Sequence, residues 1–124
     1  MHELGLAEAV VAIAAEHARG SRVARVELAV GRLRQVVPDA LAFSFELVAQ
    51  GTPVDGAELA IEEVPVRVAC RACRAESEVD PFPLACARCG ALDVEVTDGE
   101  QFQVVALELE REPRGPLAVE TARR

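Results

Sequence analysis

The sequence predicts an α+β fold: two helices packed on a small three-stranded sheet, with a compact module inserted between two of the strands. Three observations carry this reading. Residues Leu4 to Ala18 place apolar side chains at helical spacing, and a second such stripe runs from about Pro38 to Gln50. Segments before and after that second stripe, and near the end of the chain, alternate apolar and polar residues as half-buried strands do. All four cysteines precede the last of these segments, as Cys70-Arg71-Ala72-Cys73 and Cys86-Ala87-Arg88-Cys89.

In the first helix Leu4, Ala7, Val11, Ala14 and Ala18 form the stripe, and Leu6, Val10 and Ile13 widen it. Glu8, Ala12, Glu16 and Arg19 make the wet side, and Gly20 ends the helix. Glu3 and Glu8, with no basic segment before them, exclude a secretory signal. The stretch is also too short and too interrupted to span a bilayer. From Arg22 to Val30, Ala24, Val26, Leu28 and Val30 point one way and Arg25 and Glu27 the other, until Gly31 breaks the strand. Pro38-Asp39 suits the first turn of a helix, proline fixing φ and aspartate facing the positive dipole end. Leu41, Phe45 and Val48 then mark its apolar stripe up to Gly51.

Strand alternation returns at Ala57, with Leu59 and Ile61 in phase. Glu62-Glu63 shifts that phase, and Val64, Val66 and Val68 resume it one register over, so a bulge or break is expected there. Pro81-Phe82-Pro83 reads as a loop, Val94 and Val96 as a short strand, and Asp98-Gly99 as a turn. Phe102 to Leu109 alternates again, with Val105, Leu107 and Leu109 on one face. This last strand needs a sheet, and the nearest is that of the first unit. The expected organisation is a discontinuous α/β domain, residues 1–65 and 99–111, around a module at 66–98. Residues 112–124 hold two prolines, a glycine and no apolar period, and are expected to be a disordered tail.

A C-x-x-C turn lets two thiolates converge on one ion, and two such turns complete a tetrahedral S4 site. Cys70, Cys73, Cys86 and Cys89 therefore read as zinc ligands in a zinc-ribbon-like module, since Zn²⁺ tolerates soft ligands and imposes no d-electron geometry. Disulfides would need an oxidising compartment, and a redox C-x-x-C would need no matching second pair. Four thiolates leave no open coordination position, so the zinc is structural. Gly90 follows the second pair, where a left-handed residue commonly turns backbone N–H groups towards sulfur. Arg74 stands at the matching position of the first pair, which makes that knuckle harder to predict. Arg67, Arg71, Arg74 and Arg88 surround the cysteines and are read as offsetting the charge of the centre.

The net charge of −8 speaks against a nucleic-acid surface, which would need a basic face to displace counterions. The expected compartment is cytoplasmic, with no membrane segment. No phosphate loop, no Ser/His/Asp set and no histidine beside a carboxylate pair is visible, so an enzyme is not expected.

His2 carries a sharper possibility than an ordinary surface histidine. The Met1 amine, the His2 backbone nitrogen and the His2 imidazole can close adjacent chelate rings on one ion. Deprotonating a backbone amide favours a square-planar nitrogen field, hence Ni²⁺ or Cu²⁺. The fourth position could be the Glu3 backbone nitrogen, water or a partner's donor. His17 is assigned no role. Met1-His2-Glu3-Leu4 opening an amphipathic helix, Gly51-Thr52 after the second helix, and the paired C-x-x-C motifs together resemble the HypA/HybF family of hydrogenase, and sometimes urease, maturation proteins. The resemblance runs from Met1 to about Glu110. It implies nickel held at Met1, His2 and Glu3, zinc at the four cysteines, and an α+β nickel domain. It further implies delivery of nickel, with a nickel-binding maturation GTPase, to a hydrogenase large subunit; a homodimer is compatible with it. Relatives with a histidine directly after a C-x-x-C pair differ from this chain, which has Arg74 and Gly90 there. Two function classes follow, a nickel metallochaperone and a zinc-ribbon adaptor in which His2 is incidental, and a nickel titration separates them.

Overall fold

A computed structural model describes residues 2–110. Met1 and the tail expected at 112–124 lie outside the described residues. In chain order, helix α1 spans His2–Ala18 and strand β1 Val23–Gly31, followed by a 3-10 turn at Arg32–Arg34. Helix α2 spans Pro38–Ala49, β2 Glu58–Val64 and β3 Val66–Cys70. Strands β4 (Glu76–Val79), β5 (Val94–Asp98) and β6 (Phe102–Leu109) complete the order.

Two three-stranded sheets result, ordered β2-β1-β6 and β4-β3-β5. β1 is the most buried strand of the first sheet and takes its centre, burying Val23, Val26, Leu28 and Val30. β2 lies parallel to it, with Leu28 opposite Ile61, because α2 makes the crossover. β6 returns antiparallel on the other side, with Val26 opposite Leu107. The helices cover one face of this sheet. Ala7, Val10, Val11 and Ala14 of α1 and Leu41, Phe45 and Ala49 of α2 join β1 and Val54 in one core cluster. Leu28 and Leu41 are among its largest fully buried side chains, and truncating either to alanine should cost ~2–5 kcal/mol. On the opposite face Arg25 reaches Glu58 at 2.9 Å, Glu27 at 3.1 Å and Glu108 at 3.9 Å, tying all three strands together in a solvated cluster.

Four details differ from the sequence reading. Leu4 and Ile13 are 49 % and 41 % exposed, so the buried stripe of α1 is narrower than its apolar pattern. β2 runs unbroken through Glu62 and Glu63 to Val64, and the break falls at Pro65, which has no N–H for a ladder. In β6, Glu27 faces Ala106 but Leu28 faces Val104, so Val105 is an extra, bulged residue. The bulge reverses the phase: Phe102, Val104 and Leu107 pack on the core, while Val105 and Leu109 are exposed. Strand β4 has no apolar alternation to announce it; it is an edge strand with Glu76 and Glu78 in water.

The second sheet grows from the first without a linker. β2 passes into β3 through Pro65 alone, and β5 passes into β6 through residues 99–101. There a Cβ added to Gly31 would meet the Gly99 carbonyl oxygen at 2.0 Å, so the two chain segments touch backbone to backbone. The Leu33 N–H donates to the same carbonyl at 3.0 Å, and the Arg34 guanidinium to Glu100 O at 2.8 Å. No helix among the described residues is long and apolar enough to cross a membrane.

Candidate metal centre

The four cysteines come together as predicted. β3 delivers Cys70 at its last residue, and Cys73 follows one turn later. Cys86 and Cys89 occupy the same places in a second turn between Pro81-Phe82-Pro83 and β5. The two turns are copies of one local structure. Cys70 Sγ accepts the N–H groups of Ala72 (3.3 Å) and Cys73 (3.4 Å). Cys86 Sγ accepts those of Arg88 (3.3 Å) and Cys89 (3.4 Å). The Arg74 N–H returns to Cys70 O at 3.0 Å, and the Gly90 N–H to Cys86 O at 2.9 Å. Arg74 adopts φ +69° and Gly90 φ +80°, so an arginine takes the left-handed conformation that the second turn gives to glycine.

The four sulfurs lie within 4.8 Å of one another. Cys70 Sγ is 3.6 Å from Cys89 Sγ, and Cys73 Sγ is 3.7 Å from Cys86 Sγ. Both separations are far beyond an S–S bond of about 2.05 Å. They match the edge of about 3.8 Å in a sulfur tetrahedron around an ion with ligand bonds of about 2.3 Å. All four cysteines are free. The N–H groups of Cys73 and Ala72 lower the Cys70 thiol pKa, and those of Cys89 and Arg88 bring Cys86 down to about 6. At Cys89 an Ala91 N–H is outweighed by hydrogen bonding to the Cys70 and Cys73 sulfurs and by burial, which push the thiol up to about 11. Such a set loses its first protons readily and needs a cation to lose the rest. The donor chemistry and the spacing both fit a tetrahedral divalent ion.

The arginines around the cysteines do not simply face the sulfurs. Arg71 pairs with Asp93 at 2.9 Å and reaches Glu95 at 4.0 Å, and Arg67 reaches Glu76 at 3.8 Å. Part of the charge-offset expectation is thereby corrected, because nearby carboxylates take up these two guanidinium groups.

The other predicted ligands gather at the start of α1. His2 is its first residue and is exposed. In a helix the first four N–H groups have no intrahelical acceptor, so the amide nitrogens of residues 2 and 3 stand outside the hydrogen-bond ladder. Glu3 is different from what its place in a polar tripeptide suggests. Its side chain is buried, and Oε2 accepts the Val37 N–H at 3.0 Å. No sequence signal announces a contact between residues 34 apart. His17 sits on the same helix with Nδ1 against Ile13 O at 2.9 Å.

Comparison with known proteins agrees with these features. A family model described as "Hydrogenase/urease nickel incorporation, metallochaperone, hypA" matches residues 1–109. Among curated relatives named hydrogenase maturation factor HypA, that of Chloroflexus aurantiacus is 45% identical over 112 residues, covering 87% of this chain and 98% of the relative. That of Geotalea uraniireducens is 42% identical over 110 residues, covering 89% and 100%. A Nostoc relative of the same name is 39% identical over 110 residues, covering 89% and 96%. The solution structure of the Ni metallochaperone HypA from Helicobacter pylori superposes with a TM-score of 0.64 at 23% identity. It covers 90% of this chain and all of that one, which supports the fold. With an α+β frame, a four-cysteine cluster and a family match along nearly its whole described length, this chain belongs to the HypA family of nickel-incorporation metallochaperones, which are not enzymes.

Proposed function

We propose that this chain captures Ni²⁺ at its N-terminus and hands it to a hydrogenase large subunit during maturation, working in the cytoplasm with a nickel-binding GTPase. The nickel ligands in this reading are the Met1 amine, the His2 imidazole and backbone nitrogen, and the Glu3 backbone nitrogen. Residues 1–65 and 99–111 would be the nickel-binding domain and residues 66–98 the zinc module.

The observation that supports it most is that α1 begins at His2. A backbone nitrogen in the middle of a helix cannot bind a metal without breaking a hydrogen bond of the ladder. Nitrogens in the first turn carry no such bond, so giving up their protons to nickel leaves the ladder intact. His2 is exposed, so an ion can arrive and leave by exchange of ligands. That suits a carrier better than a closed cage.

In the same reading the cysteine cluster holds Zn²⁺, which supplies folding energy to the β4-β3-β5 sheet and takes no part in transfer. Cys70 and Cys86 are buried and fixed by two backbone N–H groups each, which keeps that ion in place. Two unlike sites on one chain keep the metals apart: nitrogen donors in a square plane select nickel, and four thiolates in a tetrahedron select zinc.

Nickel titration of the native chain, of His2→Ala and of a form with one residue added before Met1 tests the proposal. Native protein should bind one nickel, both altered forms should lose or reshape the site, and His17→Ala should not. Zinc content should be one per chain in all four. Equal nickel affinity across the set would remove the N-terminal site and leave an adaptor built on the cysteine module.

A further inference from the structure

Among the described residues, Glu3 is the one charged side chain that the fold buries, at 5% exposure. A carboxylate taken out of water needs hydrogen-bond donors, and the Val37 N–H supplies one at 3.0 Å. Val37 is the N-cap residue of α2, and its own side chain makes no capping hydrogen bond. The usual place for a glutamate that accepts the N-cap N–H is three residues further on, and here it is Ala40. α2 therefore has no local cap, and Glu3 brings one from α1. The positive end of the α2 dipole favours an anion at this point as well.

We propose that the Glu3 carboxylate is a positioning group rather than a nickel ligand. It fastens the first turn of α1 to the N-terminus of α2, and so holds the Glu3 backbone nitrogen and the His2 imidazole in place for the ion. This rests on the nickel reading above, in which residue 3 contributes its main-chain nitrogen. The carboxylate turns towards α2, while His2 beside it stays in water.

The test is a nickel titration of the full chain as native protein, Glu3→Gln, Glu3→Asp, Glu3→Ala and His2→Ala, with zinc content checked in each. Glutamine keeps the side-chain length and an oxygen for the Val37 N–H; aspartate keeps the charge but falls one methylene short. Positioning predicts Glu3→Gln within about threefold of native, and Glu3→Asp and Glu3→Ala each weakened on the order of tenfold. Ligation by the carboxylate predicts the reverse, with aspartate ahead of glutamine and glutamine as poor as alanine, and that order overturns the proposal. A second readout needs no nickel. Amide exchange at Val37 should stay slow in Glu3→Gln and quicken in Glu3→Asp and Glu3→Ala. Unchanged exchange in Glu3→Ala would also overturn it. His2→Ala separates the two readings: native-like nickel binding there removes the N-terminal site altogether. Lost binding in His2→Ala with the wrong order at Glu3 removes only the positioning role.

Discussion

Adding one methyl group at Gly31 should damage this protein far more than its backbone suggests. Gly31 has φ −70° and ψ 139°, which any residue adopts, and replacing a strand glycine by alanine ordinarily gains ~0.5–1 kcal/mol. Here the new Cβ would lie 2.0 Å from the Gly99 oxygen, 2.1 Å from its carbon and 2.6 Å from the Glu100 nitrogen. Those are main-chain atoms, and they have nowhere to go. Gly99 itself is pressed on the other side, where a Cβ would come within 2.6 Å of Val66 Cα. Relief requires the 99–101 segment to shift, which strains the Leu33–Gly99 and Gly31–Gln101 hydrogen bonds, at 3.0 and 2.7 Å. Overpacking at ~1–3 kcal/mol and two weakened hydrogen bonds at ~1 kcal/mol each, less the strand gain, leave roughly 2–4 kcal/mol of destabilisation. In a domain of this size that lowers Tm by about 10 °C or more. Thermal unfolding of zinc-loaded Gly31→Ala and native protein measures it, and amide exchange at Leu33 locates the damage. A Tm within about 2 °C of native would show that the junction is loose, and the steric argument would fail.

Gly5→Ala is the same chemical change with the opposite sign: nothing lies within 4 Å of the added methyl, and a helix position gains ~0.5–1 kcal/mol, read as a higher Tm. Gly90→Arg should cost ~1–2 kcal/mol through left-handed strain at φ +80°, while Arg74→Gly should be neutral to slightly stabilising and keep one zinc per chain. Removing the cysteine-bound metal should expose Val66 and Val68 amides to exchange while those of Val26 and Leu28 stay protected, because the latter belong to the helix-covered core. Zinc affinity should fall as pH falls, since each thiol still protonated in the free protein must lose its proton to bind. Below about 6 Cys86 is also protonated in the free protein, so binding displaces one more proton there, and the slope of log affinity against pH steepens by one.

Periodicity carried most of the frame. Both helices, the central strand, the returning last strand and the cysteine quartet are written in short-range pattern, because each depends on spacing within one segment. What escaped depends on partners elsewhere in the chain. Val105 looks like a core residue of β6 until β1 is laid beside it and the extra residue is seen. β4 is a strand only because β3 offers it a ladder; alone, Glu76-Ser77-Glu78-Val79 has no apolar face. Pro65, not the glutamate pair before it, ends β2, since exposed edge positions tolerate charge but a missing N–H stops pairing. The cysteine cluster was legible because its chemistry needs few residues at fixed spacing. The burial of Glu3 was not, because a cap borrowed from another helix leaves no local trace.

The direct passage from β2 through Pro65 into β3, and from β5 into β6, bears on how the chain finds its fold. β6 must return to β1 across the whole segment 65–101, and closing so long a loop is an entropic obstacle. β3 and β5 pair with Arg67 opposite Asp98, and the ion proposed for the cysteine turns would fasten that pairing. The distant ends are then held side by side, and the effective loop shrinks to a few residues. Scaling closure entropy with loop length, that shortcut lowers the entropic cost by ~2 kcal/mol. On the proposed zinc reading, loading of the inserted module would act as a clasp that prepares the last strand for docking, and refolding of the first sheet should run faster with metal than without.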